Sequence, residues 1–185
     1  APSVAAQKVY RTVPAPTLPP HYKIFGIKNV CILGYGKEGK VTEQYIKKTF
    51  PKLPITILDQ SLDKNYLDRQ IDFDLAVKTP GLPKTKVTIP YTTATNLFFE
   101  ANKTFTIGVT GSKGKSTTSA LIYEIIKKSG RRVELLGNIG KPMLERLLRP
   151  VNKKVIFVLE LSSYQLDDIK FSPGIAVLTG LFEEH

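Results

Sequence analysis

The sequence is poor in cysteine, methionine, tryptophan and histidine. Its 185 residues include one Cys, one Met, two His and no Trp. The lone thiol, Cys31, cannot form an internal disulfide, and its place in an apolar run predicts a buried small side chain. No apolar run is long enough to cross a bilayer, and the first residues lack the apolar core of a secretion signal. We therefore expect a cytoplasmic protein without membrane insertion.

Acidic residues are also scarce, with 16 Asp and Glu against 27 Lys and Arg and a net charge of +11. Such an excess occurs in nucleic-acid-binding proteins, but here the lysines are scattered and no cluster of arginines and aromatics accompanies them. Anionic small ligands, above all nucleotides, are sufficient partners for this charge. The apolar content of 42% is typical of a globular protein with a real core.

The first half of the chain begins with a proline-rich lead-in. The first twenty residues carry five of the thirteen prolines and no apolar periodicity. Strands are then predicted at 30–33 and 55–58, with the glycine turn GYGKEG and a helix to about residue 49 between them. This order resembles a dinucleotide-binding unit that ends at Asp59. By itself the pattern also fits other phosphate sites, or a helix that packs close to a sheet.

Further strands are predicted at 74–78 and 87–90, separated by the rigid turn KTPGLP. Ligands of open α/β sheets bind at the carboxyl ends of strands, which is where this turn lies. A connecting helix is predicted at 95–101, with Thr95 or Asn96 near its start.

The stretch FTIGVTGSKGKST, residues 105–117, is typical of a phosphate-binding loop between a strand and a helix at 117–128. Backbone N–H groups freed by Gly111 and Gly114 would point into one concavity, and the helix would aim its positive end there. Lys115 would reach terminal phosphates, and the Ser116 hydroxyl would bind Mg²⁺. Position 109 is Val, where the general pattern has Gly.

Strands are also predicted at 133–136, 155–161 and 175–179, with a helix at 142–148. The sequence LELSSYQL places Glu160 at the end of a buried strand, followed by hydroxyl and amide side chains. A carboxylate is costly there unless a cation or hydrogen bonds compensate its desolvation.

The motifs TGSKGKST, GNIG and LELSSYQL resemble the Mur ligase family, which makes amide bonds at the expense of ATP, and GYGKEG, Asp59 and KTPGLP resemble its UDP-binding domain. The resemblance implies an α/β fold. After the lead-in 1–23, a Rossmann-like UDP-binding domain, 24–94, would be followed by a truncated P-loop ATP-binding domain with a parallel sheet, 95–185. Since the chain starts with Ala and ends at His185, we expect a fragment without the amino-acid-binding domain. We expect this fragment to be inactive alone, and we expect the full-length protein to be a monomer.

The resemblance also implies the chemistry of peptidoglycan synthesis. The carboxylate of UDP-N-acetylmuramoyl-L-alanine would attack ATP to give an acyl phosphate, and the amine of D-glutamate would displace phosphate, with Mg²⁺ as the metal. The implied catalytic residues are Lys115, Asn138 and His185, and the implied metal ligands are Ser116, Glu160 and His185. The implied ATP-binding residues are Gly111, Ser112, Lys113, Gly114, Lys115, Ser116 and Thr117. The implied UDP- or substrate-binding residues are Gly34, Tyr35, Gly36, Asp59, Gln60, Thr79, Pro80, Gly81, Asn138, Ser162 and Gln165.

Three alternatives stay open. Lys113 is also familiar from folylpolyglutamate synthetase, another branch of the superfamily, although that branch lacks the first domain. A nucleotide-dependent oxidoreductase would use the Gly34 turn and Asp59 for NAD, but it would leave the Lys115 loop unexplained. A non-catalytic nucleotide-binding module would bind ATP without transfer.

Overall fold

The computed structural model of the protein describes residues 26–182, which form eight strands and five α-helices. The first half contains β1 (Val30–Leu33), α1 (Lys37–Thr49), β2 (Ile55–Leu58), β3 (Leu75–Lys78), β4 (Tyr91–Thr93) and α2 (Ala94–Ala101). The second half contains β5 (Phe105–Thr110), α3 (Lys115–Lys128), β6 (Val133–Gly137), α4 (Met143–Leu147), β7 (Ile156–Glu160), α5 (Ser163–Leu166) and β8 (Ile175–Leu178). The predicted lead-in 1–23 and His185 lie outside the described residues.

The strands form two four-stranded sheets, ordered β2-β1-β3-β4 and β6-β7-β5-β8. Every pairing between strands is parallel. Parallel neighbours need crossover connections, which is why helices and long loops separate the strands along the chain. The prediction of a mixed α/β fold with parallel sheets is confirmed.

The predicted strand at 87–90 is wrong. Residues Lys84–Lys86 form a 3-10 turn, and the backbone N–H of Thr88 donates to the Gln70 side chain at 2.8 Å instead of to a neighbouring strand. Pro90 has no N–H, so it can only accept, and its carbonyl takes the Ala76 N–H at 2.9 Å. Pairing with β3 therefore begins after the proline, and β4 follows it.

The other elements differ from prediction mainly at their ends. The helix α3 begins at Lys115, directly after the glycine loop, and α2 begins at Ala94 because Thr93 caps it by accepting from the Asn96 N–H. The short helix α5 was not predicted, because only four residues form it.

One hydrophobic cluster joins the two sheets. It contains Ile32 from β1, Phe98 from α2 and Phe157 from β7, all fully buried, and the rings of Phe98 and Phe157 lie 5.8 Å apart. The helix α2 spans the predicted boundary between residues 94 and 95, which stays a prediction. Cys31 is fully buried in a second cluster of the first sheet, as its apolar surroundings in the sequence predicted.

Within residues 26–182, no helix combines the length and the apolar character that crossing a membrane would require.

Candidate functional site

A cleft of about 550 Å³ lies between the two sheets, at the carboxyl ends of their strands. The first unit, which is the half of the chain that forms the sheet β2-β1-β3-β4, contributes Lys37, Glu38 and Pro80 to the walls of the cleft. The second unit contributes the rest of the lining: Lys115, Gly137, Asn138, Pro142, Met143, Ser162, Ser163, Tyr164 and Gln165. Since open parallel sheets bind ligands at this edge, the cleft is the candidate site of the described chain.

The glycine loop 111–114 connects β5 to α3 beside this cleft. Gly111 has φ +137°, and a Cβ on it would lie 2.1 Å from Oγ1 of Thr179, so only glycine fits there. The Thr179 hydroxyl donates to the carbonyl of Lys113 at 2.7 Å and so holds the loop from the end of β8. Thr179 is absent from the sequence-predicted site, although its position just after a parallel strand next to β5 could have indicated it.

Lys115 opens the helix α3 and lines the cleft. Its ammonium donates to the loop carbonyls of Gly111 at 2.5 Å and Ser112 at 2.8 Å. Among the described residues no side chain caps the N-terminus of α3, and Ser116 and Thr117 are exposed on its first turn. Backbone N–H groups at such an uncapped end are free to bind an anion.

Glu160 ends β7 between Val109 of β5 and Gly137 of β6, and it is 1% exposed. Its Oε1 accepts a hydrogen bond from Nδ2 of Asn138 at 3.2 Å, while Oε2 is buried without a hydrogen-bond partner among the described residues. A buried carboxylate oxygen that lacks a partner is costly. A cation at Oε2 would remove that cost, so the donor set fits a hard metal ion.

The described residues do not by themselves assemble a metal site from ionisable ligands. Among residues 26–182, no three His, Cys, Asp or Glu side chains come together as metal ligands would. Hydroxyl groups such as that of Ser116, water and phosphate oxygens are the further ligands that Mg²⁺ usually takes. The predicted role of His185 lies outside the described residues and stays a prediction.

The predicted substrate residues Ser162 and Gln165 are fixed by a capping box at the start of α5. The Ser162 hydroxyl accepts from the Gln165 N–H at 3.3 Å, and the Gln165 side chain accepts from the Ser162 N–H at 3.0 Å. This arrangement leaves the Gln165 amide free to donate to Glu38, which lies across the cleft on α1. Burial raises the pKa of Glu38, against the opposing effects of Gln165 and the Lys78 charge.

Glu38 and Lys37 therefore line the cleft but were missed as site residues in the sequence. They lie inside the GYGKEG turn, in which only the glycine spacing was used to predict a binding site. The signal that could have found them is their position in the first turn of a helix that follows a parallel strand.

The turns after β1 and β3 meet at the same edge of the first sheet. Both the N–H and the hydroxyl of Thr79 donate to the carbonyl of Leu33, each at 3.0 Å. Pro80 then reaches the cleft lining, whereas Gly81 and Gln60 are exposed and are not among the lining residues.

Asp59 holds the turn after β1 from the end of β2. Its carboxylate accepts the Tyr35 N–H at 2.6 Å, the Ser61 hydroxyl at 2.6 Å and the Ser61 N–H at 2.8 Å. These hydrogen bonds, the Ser61 hydroxyl first, hold the pKa of Asp59 below its ordinary value. The hydroxyl of Tyr35 is itself engaged by Glu43. The carboxylate therefore shapes the turn that was predicted, from the family resemblance, to bind UDP.

Comparison with known proteins gives a family match over the second sheet. Residues 109–185 match the family model of the Mur ligase middle domain. The chain is 36% identical over 175 residues to the UDP-N-acetylmuramoylalanine–D-glutamate ligase of Oenococcus oeni, covering 85% of this chain and 39% of that protein. It is 33% identical over 187 residues to the ligase of the same name from Geobacillus kaustophilus, covering 85% and 41%.

A relative with a different name is similarly close. The chain is 31% identical over 189 residues to the UDP-N-acetylmuramoyl-L-alanine–L-glutamate ligase of Xylella fastidiosa, covering 84% of this chain and 40% of that protein. The chain thus spans about two fifths of the length of these relatives. These matches confirm the resemblance read from the motifs: the chain is a relative of the Mur ligases and carries their middle-domain sequence from residue 109.

Proposed function

We propose that this chain forms the nucleotide- and UDP-substrate-binding part of an ATP-dependent ligase of peptidoglycan synthesis. The ligase joins glutamate to UDP-N-acetylmuramoyl-L-alanine through an acyl phosphate. One observation carries the proposal: Lys115 of the glycine loop, Asn138 beside Glu160, and Pro80 of the first unit all line one cleft. The residues proposed to bind phosphate, metal ion and sugar nucleotide are therefore adjacent to one another.

The glycine loop serves as a P-loop for ATP. Its uncapped helix N-terminus offers N–H groups, and Lys115 exchanges its contacts with the loop carbonyls for phosphate oxygens when the nucleotide binds. The reaction brings a substrate carboxylate against a triphosphate, so its main requirement is positive charge at the point of attack. Lys115 provides one such charge from a fixed helix end.

Glu160 and Ser116 hold Mg²⁺ in this proposal, with His185 as the third predicted ligand. The support is the unpartnered Oε2 of Glu160 at the buried end of β7. When bound, the ion neutralises phosphate charge. The Asn138 amide, bonded to Oε1, keeps the carboxylate oriented and leaves the Asn138 side-chain oxygen able to accept from the substrate.

The first unit is a Rossmann-like domain that binds the UDP moiety. Its support is the parallel sheet with the turns of Gly34 and Thr79 at one edge, and a 13-residue helix α1 that starts there without a side-chain cap. The diphosphate binds at that helix start, as anions do at free helix N-termini. Asp59 keeps the turn in place.

The stereochemistry of the added glutamate is proposed as D, following only the resemblance to a D-glutamate-adding ligase. The relatives include ligases named for D-glutamate and ligases named for L-glutamate at similar identity. Since the chain spans two fifths of those relatives, the decisive experiments measure ligand binding to this chain, and the stereochemistry is tested with the longer enzyme.

Calorimetric titration with UDP-N-acetylmuramoyl-L-alanine tests the proposal. We expect saturable binding that UDP displaces and NAD does not, and independent binding of ATP that Mg²⁺ strengthens. Displacement by NAD instead of UDP would favour the oxidoreductase alternative. Binding of ATP alone by a demonstrably folded sample would favour a folate-type ligase or a non-catalytic module.

A further inference from the structure

A buried ion pair links the first unit to the second. Lys78 is the last residue of β3, and Asp168 follows the helix α5. Their Nζ and Oδ2 atoms lie 2.6 Å apart, and each side chain is only 2% exposed. Removing two charges from water costs about as much as their attraction returns, so such a pair is weak evidence for stability alone.

Lys78 binds the turn that follows it as well as Asp168. Its ammonium donates to the carbonyl of Leu82 at 2.9 Å and contacts that of Thr79 at 3.4 Å. These carbonyls lie on either side of Pro80, which lines the cleft. The ammonium therefore contacts both the carbonyls of the cleft-lining turn and the Asp168 carboxylate.

Asp168 is in turn fixed by two residues near the junction of the units. The Tyr91 hydroxyl donates to its Oδ1 at 2.8 Å, and the Asn96 side chain donates to its carbonyl at 2.9 Å. Asn96 is 3% exposed and also accepts the Lys170 N–H at 2.9 Å. Burial alone would raise the pKa of Asp168, but the hydrogen bonds from Lys78 and Tyr91 outweigh it, so the pKa lies below its ordinary value and the group is ionised at neutral pH.

We propose that Lys78 and Asp168 are positioning residues that fix the width of the cleft between the Pro80 turn and α5. Pro80 lies two residues after Lys78, and Gln165 lies three residues before Asp168. The ion pair therefore anchors one wall of the cleft to the other directly behind the lining. Because a substrate that spans both units needs both walls at a set separation, the pair governs its affinity. This inference rests on the proposed function for the identity of the ligand.

The chain contains a matched control for this pair. Lys84 and Asp167 join the same two segments, with Nζ and Oδ1 2.7 Å apart, but their side chains are 49% and 52% exposed. Exposed pairs hold geometry weakly because water and salt screen them. A comparison of the two pairs therefore distinguishes the effect of a buried ion pair that fixes the cleft walls from the effect of any charge contact between the same segments.

The test compares two double variants, Lys78→Met/Asp168→Leu and Lys84→Met/Asp167→Leu. Each removes both charges at once, so no buried charge is left without its partner. In calorimetry we expect the buried-pair variant to bind UDP-N-acetylmuramoyl-L-alanine about tenfold more weakly than the wild type, since misplacement of one wall is costly. Its affinity for MgATP should stay within about twofold, because the pair does not touch the glycine loop. The exposed-pair variant should bind both ligands like the wild type.

A folded buried-pair variant with wild-type affinity for the UDP ligand would overturn the proposal. An equal loss for both ligands would also overturn it, because that result indicates general destabilisation. If the double variant does not fold, Tyr91→Phe replaces it, since it removes only the hydroxyl that holds Asp168. That variant should bind the UDP ligand about threefold more weakly than the wild type and should bind MgATP with unchanged affinity.

A measurement without ligand distinguishes this inference from the proposed function. Spin labels on Gly81→Cys and Ser163→Cys, both exposed positions, report the distance across the cleft, while the buried Cys31 stays unlabelled. We expect a broader distance distribution in the buried-pair variant and an unchanged one in the exposed-pair variant. If the wild type fails to bind the UDP ligand, the proposed function fails, and an unchanged distribution in the buried-pair variant would refute the positioning role.

Discussion

The side-chain amide of Asn138 holds one oxygen of the Glu160 carboxylate at 3.2 Å, and the other oxygen, Oε2, has no hydrogen-bond partner in the described chain. The backbone N–H of Asn138 also donates to the Glu160 carbonyl at 3.0 Å. The side-chain contact orients the carboxylate, whose remaining oxygen is unsatisfied, and the backbone contact keeps Asn138 beside it. A carboxylate held in this way is suited to binding a divalent cation.

Substitution of Glu160 by Gln tests this metal role. The amide keeps the size of the side chain but removes the charge that a metal ion needs. Mg²⁺ increases the affinity for ATP by some factor, and we expect this factor to be about tenfold smaller in Glu160→Gln than in the wild type. Calorimetry with and without EDTA measures it. Without metal, the variant should be at least as heat-stable as the wild type, because a buried amide costs less desolvation than a carboxylate.

Glu134→Gln is the matched control for that experiment. Glu134 lies on the adjacent strand β6 and pairs with Arg146 at 2.6 Å instead of lining the cleft. Its removal should leave the Mg²⁺ dependence of ATP binding unchanged. If the two variants respond to Mg²⁺ in the same way, Glu160 has no metal role.

Replacement of Lys115 by Ala should severely weaken ATP binding without unfolding the protein. The ammonium contacts only loop carbonyls in the described chain, so its loss removes little native packing, whereas a bound phosphate would lose a charge-assisted contact. We expect an affinity loss of about 100-fold, measured by fluorescence titration with a labelled ATP analogue. Lys128→Ala, at the other end of α3, removes the same charge far from the loop and should bind normally. An ATP affinity of Lys115→Ala within threefold of the wild type would contradict the P-loop assignment.

Gly39 is required by close contact between α1 and the turn before it. A Cβ at this position would lie 2.2 Å from the backbone oxygen of Gly34, so the helix or the turn must move to accept one. Gly39→Ser should therefore lower the free energy of unfolding by about 2 kcal/mol, measured by urea denaturation. Gly36→Ser is the comparison, because nothing lies within 4 Å of its added Cβ and serine suits a helix N-cap. Equal stability of the two variants would show that the turn relaxes freely.

The fold was predictable from sequence where local pattern and tertiary environment agree. The strands β1 and β2 have the predicted limits, because a run of four mainly apolar residues beside a glycine turn or a proline is typical of a strand in a parallel sheet. The strand β4 was misplaced because Val87 and Ile89 look more strand-like than Tyr91 and the threonines after it. There the Gln70 side chain, 18 residues away from Thr88, satisfies the backbone that a strand would have paired.

The candidate site was predictable only where one residue conflicts with its neighbours. Glu160 stood out because a carboxylate ends an apolar strand, and the glycine loop stood out because of its spacing. Lys78 also ends an apolar strand and Thr179 follows one, but the sequence around them does not show what they contact. They act on segments 66 to 90 residues away, through the contacts Thr179–Lys113 and Lys78–Asp168, so only the fold shows their neighbours.

Asp59 makes the stability of the protein depend on acid pH. Hydrogen bonds from the Ser61 hydroxyl, the Ser61 N–H and the Tyr35 N–H hold its pKa below the ordinary value of 3.8. A group with a lowered pKa in the folded state stabilises that state above its unfolded pKa, and the contribution is lost as the pH falls through the folded pKa. The free energy of unfolding of Asp59→Asn should therefore fall less steeply than that of the wild type as the pH is lowered below 3.8.

Ser61→Ala separates the hydrogen bonds from the charge of Asp59. This variant keeps the carboxylate and the backbone donors but removes the largest cause of the lowered pKa. Titration of the Asp59 carboxyl carbon by NMR should give a pKa closer to 3.8 in Ser61→Ala than in the wild type. Because the same carboxylate holds the Tyr35 N–H, protonation should also loosen the turn that is proposed to bind UDP. UDP affinity should then weaken in the same pH range in which Asp59 titrates, and in Ser61→Ala that range should move to higher pH; an unshifted range would show that Asp59 does not control the turn.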